Sequence, residues 1–339
     1  MRYEILGSVA IRDSGRSADV PARKVEMLLL LLLSRANRMI HKDEVITEIW
    51  EADIPRRAVD AVYVYISQLR KILDYVGGPS NRIVTKNAGY LLQVEEEELD
   101  VNLFLKCADR GRVFMRENNP HDAASCFDRA LHHWQGPLRW GDDCGPSLRA
   151  FAAYLNESHL SVIENSNDIS LYLGRHQELI SDLYKLVVEN PLREVFYSQL
   201  MMALYRSGRR ADALNVYAAA RKILLDQLGL DPCRRLRELQ QAILADDDKG
   251  IMHDYACLGS LGGPWPEQGR SAIRRRRTHS PRPHWCGHRE DQPAWLPDAC
   301  EFIIAISLLS TAKAMTKTEK GHGYVWFWKG GHPSVVPSV

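Results

Sequence analysis

Arg57-Ala-Val-Asp-Ala-Val-Tyr-Val-Tyr-Ile-Ser-Gln-Leu-Arg-Lys-Ile-Leu73 is the stretch on which the fold turns. Val59, Val62, Ile66, Leu69 and Leu73 recur at intervals of three and four, so at about 100° per residue they share one narrow helical stripe. Arg57, Asp60, Val64, Gln68 and Lys71 fall opposite it, on a polar and partly basic face with a valine at its centre. A helix that packs on one side and offers Arg, Gln and Lys on the other suits a DNA major groove. Arg and Gln can pair bidentately with base edges, and a valine methyl can meet a thymine methyl. Solvated amphipathic helices share this pattern, so the neighbouring segments must decide.

Downstream, Gly77-Gly78-Pro79-Ser80 breaks the helix, and residues 82–94 read as strand, tight turn, strand, with Asn87-Ala88-Gly89 in the turn. Arg82 and Lys86 lie on this hairpin. A basic hairpin beside a groove-reading helix is the winged-helix arrangement. Upstream, short β-leaning stretches at residues 3–6 and 9–12 are separated by Gly7. After Pro21, residues 22–35 carry a leucine run; a helix apolar nearly all round is buried on most sides. Residues 41–50 read as a second helix, with Val45, Ile46 and Ile49 at core spacing and Trp50 closing it.

The 339-residue chain has a formal net charge of only +1, so any electrostatic footprint for nucleic acid must be local. It is local: residues 55–90 hold Arg56, Arg57, Arg70, Lys71, Arg82 and Lys86 against Asp60 and Asp74. Glu95, Glu96, Glu97, Glu98 and Asp100 then cancel it, which reads as a solvated acidic boundary. Positive potential is thereby concentrated on helix and hairpin, where phosphates would lie.

These residues carry a resemblance. Strands, a leucine-rich helix, a helix ending in Trp50, and Tyr65-Ile66-Ser67-Gln68-Leu69-Arg70-Lys71-Ile72-Leu73 together resemble an OmpR-type DNA-binding domain. The hairpin Ile83-Val84-Thr85-Lys86 and Gly89-Tyr90-Leu91-Leu92 is similar to the wing of that fold. With this unit at the N-terminus and no receiver before it, the chain resembles the Streptomyces antibiotic regulatory protein family. Tyr63 departs from the resemblance, since a smaller polar residue is common there.

Residues 100–245 are rich in Ala and Leu and read as helical throughout. Asp122-Ala-Ala-Ser-Cys-Phe127 and Asp212-Ala-Leu-Asn-Val-Tyr217 share a pattern of small residue then aromatic, the packing logic of tetratricopeptide helix pairs. Trp134-Gln-Gly-Pro-Leu138, Asn190-Pro-Leu-Arg-Glu194 and Leu228-Gly-Leu-Asp-Pro232 resemble the bacterial transcriptional activation domain of the same family. The resemblance covers about residues 1–245. It implies a helical module that helps a homodimer form on promoter DNA and contacts RNA polymerase, with direct-repeat sites overlapping promoter −35 regions.

Composition changes near residue 246. The tail is rich in Pro, Gly, Arg and His, with no sustained period and no recognised family, and is expected to be disordered. Its basic run at residues 274–277 reads as solvated. Cys286, His288 and Cys300 lack a recurring zinc spacing, so no metal is expected. The seven scattered cysteines and the absence of a signal sequence point to reduced thiols in a cytoplasmic, nucleoid-associated protein. The apolar runs at residues 27–33 and 302–309 fall short of the roughly 20 residues a bilayer span requires.

An enzyme is not indicated: there is no phosphate loop, no GxGxxG after a strand, no HExxH and no GxSxG. His132 and His133 project about 100° apart and cannot share a ligand face. The expected architecture is mainly α with a small β component. Residues 1–98 form a winged helix-turn-helix reader, 99–246 an all-α tetratricopeptide-like domain, and 247–339 an unassigned tail. The expected function is sequence-specific transcriptional activation of an antibiotic or secondary-metabolite gene cluster, without cofactor, metal or membrane. Arg57, Asp60, Val64, Gln68 and Lys71 are the expected readers, and Arg82 and Lys86 the anchors. The competing reading is a helical protein-interaction scaffold that lacks specific DNA affinity.

Overall fold

The computed structural model describes residues 1–13, 15–20, 22–77, 82–86, 89–141, 144–246, 324–329 and 332–337. The chain opens with the antiparallel strands β1 (Arg2–Glu4), β2 (Ala10–Asp13) and β3 (Arg16–Asp19), in that order across the sheet. Helix α1 (Arg23–Ser34) follows, with Val25 and every residue from Met27 to Leu33 buried. A helix covered on all sides can carry leucine at consecutive positions, as the sequence requires.

Strand β4 (Ile40–His41) leads into α2 (Lys42–Trp50) and then α3 (Ala58–Val76). Helix α3 buries Ala58, Val62, Ile66, Leu69, Leu73 and Val76. The expected stripe is corrected at one position: Val59 is 46% exposed, because the helix begins at Ala58 and Ala58 takes the core position in the first turn. Gly77, at φ +107, ends α3 in the left-handed conformation a glycine adopts without penalty. Strands β5 (Ile83–Lys86) and β6 (Gly89–Leu92) form the expected hairpin, and β4 pairs along the other side of β6. Gly89 is required there: a Cβ would lie 1.9 Å from the Ile40 carbonyl oxygen. The helix-start signal at Pro21 and the turn signals at residues 78–80 and 87–88 lie outside the described residues.

The helices that follow among the described residues are α4 (Asp100–Arg116), α5 (Pro120–His133), α6 (Pro146–Tyr172), α7 (His176–Glu189), α8 (Glu194–Arg206), α9 (Arg210–Leu228) and α10 (Arg234–Ala245). The small-plus-aromatic pattern packs as its chemistry demands. Ala123, Phe127, Ala213 and Tyr217 are all buried, and the Phe127 ring lies so close to Gly111 of α4 that a Cβ there would meet it at 2.6 Å.

Two apolar cores result. One runs from Tyr3 to Ile169, through both sheets, α1 to α5 and most of α6; the other runs from Leu171 to Ile243. The change from mixed α/β to all-α structure near residue 99 is therefore not a break in the core. Polar ties reinforce this continuity: the Trp140 indole donates to the Ile5 carbonyl at 2.8 Å, and Arg23 donates to the Trp140 carbonyl at 3.0 Å.

Beyond residue 270 the described residues are an antiparallel pair, β7 (Tyr324–Lys329) and β8 (His332–Pro337). The sequence carries no sustained strand period there. The basic run at 274–277, the Cys/His set at 286–300 and the apolar run at 302–309 lie outside the described residues. No described helix is long and apolar enough to cross a membrane.

Candidate DNA interface

The buried stripe of α3 fixes which side chains face outward. Arg57 caps the helix, and Asp60, Val64, Gln68 and Lys71 follow on the exposed side, with Val64 52% exposed. Among the described residues, none of the four polar members has a side-chain hydrogen bond or ion pair. An exposed valine among unengaged polar groups is available to a base edge without first breaking an internal contact. The structure thus brings these five expected readers onto one face.

Tyr63 joins them from the flank. Its hydroxyl accepts a hydrogen bond from Lys42 Nζ at 3.0 Å, and the same ammonium stands 5.2 Å from the ring centroid. The Lys42 pKa is raised, first by that hydrogen bond. Lys42 opens α2, so the pair places a cation between α2 and the exposed face of α3. Sequence reasoning missed this lysine; the signal was Tyr63 itself, an aromatic on an otherwise polar face.

Helix and wing are joined by Arg70. Its Nη2 donates to the Ile83 carbonyl at 2.9 Å and to Thr85 Oγ1 at 2.7 Å. This arginine, which the sequence counts as part of a basic footprint, orients the hairpin. Lys86 ends β5 exposed, at the edge of the turn, and is available to a phosphate.

Arg82 is placed differently. Its side chain is only 17% exposed and meets Glu98 with both terminal nitrogens, Nη2 donating to Oε1 at 2.8 Å. The guanidinium pKa is raised, first by these hydrogen bonds. Burial alone would raise the Glu98 carboxyl, but Arg82 and the Glu95 amide outweigh it and hold the group below the usual carboxylate range. The acidic run is therefore not wholly a solvated boundary, since its last glutamate holds Arg82 at the base of the hairpin. Arg82 and Lys86 are not brought together as paired anchors.

Two buried carboxylates hold this reader against the helical region. Asp100 Oδ2 accepts the Ile5 and Leu6 amides at 2.8 and 2.9 Å. Glu48 of α2 accepts the Ser147 and Leu148 amides at the start of α6, at 3.2 and 2.8 Å. Neither is a ligand-facing group.

A reading helix with a cationic flank, a tethered hairpin and a following helical array define a winged-helix transcriptional regulator. Residues 18–92 match the family described as "Transcriptional regulatory protein, C terminal", and residues 99–244 match "Bacterial transcriptional activator domain". The chain is 32% identical over 253 residues to the regulatory protein DnrI of Streptomyces peucetius, spanning 73% of this chain and 93% of that one. It is 35% identical to the regulatory protein AfsR of Streptomyces coelicolor, but covers only 24% of that longer protein. The transcriptional regulator RedD of the same species is 32% identical, with 71% of it covered. The solved structure of Mycobacterium tuberculosis EmbR in complex with a low-affinity phosphopeptide superposes with a TM-score of 0.70 at 26% identity, over 76% of this chain and 69% of that one. The chain belongs to the Streptomyces antibiotic regulatory protein family of transcriptional activators.

Proposed function

We propose that this activator controls one antibiotic or secondary-metabolite gene cluster by binding direct repeats near a promoter −35 region. Residues 1–98 act as the reader, and two protomers lie side by side on DNA at the nucleoid. Residues 99–246 then engage RNA polymerase. The observation that carries the reading is the exposed face of α3: Arg57, Asp60, Val64, Gln68 and Lys71 project outward beside a hairpin held by Arg70. In this reading Val64 and Gln68 meet bases, Arg57 and Lys71 meet base edges or phosphates, and Asp60 discriminates by accepting from a cytosine amino group. Lys86 and Lys42 anchor the backbone, adding affinity with little sequence information. Arg82 contributes through the hairpin it supports.

The test is fluorescence-anisotropy binding of the full chain to promoter fragments from its own genomic neighbourhood, at two salt concentrations. A specific regulator binds a few fragments at least about 10³-fold more tightly than bulk DNA, with affinity that falls as salt rises. Indiscriminate or absent binding overturns the proposal in favour of a helical interaction scaffold.

A further inference from the structure

Two arginines without partners among the described residues lie in the helical region, where DNA reading does not use them. His121, Ser125, Asp128, Arg129 and His132 follow one another along an exposed stripe of α5, flanked by His133. Arg175, at the corner between α6 and α7, lines with them an open cleft of about 640 Å³. That volume is in the range of small-molecule sites, which run from about 300 to 1,000 Å³.

The charges in this cleft are unbalanced. Among the described residues, neither Arg129 nor Arg175 makes a side-chain hydrogen bond or ion pair. Asp128 is the one carboxylate among the lining residues, against two guanidiniums and three imidazoles. The His133 pKa is held below the usual imidazole range, first by burial and then by His132, Arg2 and Arg129. Two guanidiniums against one carboxylate leave an excess positive charge, which an anion placed between the arginines would offset. Guanidinium forks match phosphate oxygens, and a phosphate brings nearly two charges where a carboxylate brings one.

We propose that this cleft binds a small phosphate-bearing molecule, with Arg129 and Arg175 gripping its phosphate oxygens and His121 and His132 beside them. The position gives such a ligand leverage. Both sides of the cleft pack on the first apolar core, α5 through Ala123, Phe127 and Ala130 and the α6–α7 corner through Leu173, so a molecule held there braces that corner against α5. The proposal stands on observations separate from those that support DNA reading.

The test is calorimetric titration of the full chain with pyrophosphate, using wild type, the double variant Arg129→Gln/Arg175→Gln and the reading-face variant Arg57→Ala/Lys71→Ala. Both arginines are exposed, so the double variant should keep the wild-type circular dichroism and melting profile. The expected result is one site in wild type, weakened about 100-fold in the double variant, on the scale of two lost charge-assisted hydrogen bonds, and unchanged in the reading-face variant. Absence of wild-type binding overturns the proposal. So does wild-type affinity in the folded double variant, or loss of the site in the reading-face variant.

Discussion

Glu48 on α2 and Leu148 on α6, a hundred positions apart, are joined by a hydrogen bond in which the Leu148 amide donates to the Glu48 carboxylate at 2.8 Å. The Ser147 amide reaches the other carboxylate oxygen at 3.2 Å, and Glu48 is 2% exposed. The residue before α6 is Gly145, which has no side chain to satisfy the first amides of a 27-residue helix. A carboxylate from the reader supplies both the acceptor and the negative charge that this helix end favours. Glu48→Ala strips both amides of their acceptor. It should cost on the order of 1–3 kcal/mol, read as a lower urea midpoint for the full chain. Glu48→Gln keeps one acceptor and should recover part of the loss. An unchanged midpoint for Glu48→Ala would show that these two hydrogen bonds contribute nothing to holding the two regions together.

Gly145→Ala tests the same junction from the other side. A Cβ at that position would fall 2.4 Å from the Glu48 carbonyl oxygen and 2.5 Å from its carboxyl carbon. Backbone must shift to accept it, at a cost of about 1–3 kcal/mol. The measurement is again the midpoint. Combined with Glu48→Ala, the loss should be less than additive, because both substitutions damage one contact.

The Asp100 carboxyl gives the fold a pH signature. Burial raises its pKa from 3.8 to about 6, against the lowering effect of the Leu6, Ile5 and Val101 amides. An acid whose pKa is raised by folding favours the folded state while protonated. Its contribution is therefore fully present below about 4 and is lost as pH rises through about 6. The loss is on the order of 2–3 kcal/mol, since each tenfold change in proton affinity is worth about 1.4 kcal/mol. Unfolding free energies of wild type and Asp100→Asn across that interval should diverge accordingly, with wild type losing ground as pH rises. A constant difference would mean that the carboxyl does not titrate there.

Within the proposed interface, three substitutions separate reader, anchor and support. Gln68→Ala should cost on the order of 1–3 kcal/mol on a specific site and relax base preference. Lys86→Ala should weaken all sequences alike and flatten the salt slope by about one. Arg82→Ala should act on stability first, since it leaves Glu98 without its partner, and should leave the salt slope nearly unchanged when measured where the variant is folded. A flattened slope for Arg82→Ala would return that residue to the DNA face.

Much of this was legible in the sequence. The α3 stripe, the buried leucine helix, the hairpin around Gly89 and the Phe127 and Tyr217 packing positions are properties of local period and residue shape. Short-range spacing determines which face of a helix is apolar, so those elements could be read from a few neighbouring residues. Val59 escaped because the stripe does not say where the first turn begins. The fates of the charged residues were decided elsewhere. Arg82 and Lys86 look alike along one hairpin, yet one is closed against Glu98 and the other is exposed, and Arg70 proves to be a strut. Glu48 and Asp100 sit at ordinary surface-like positions in sequence and become buried caps through partners about a hundred residues away. The sequence by itself determined the N-terminal helices, the hairpin and the face that α3 turns outward. Tertiary structure alone decided which charges remain available, because a charge is neutralised by what comes within a few ångströms in space, whatever its neighbours in the chain.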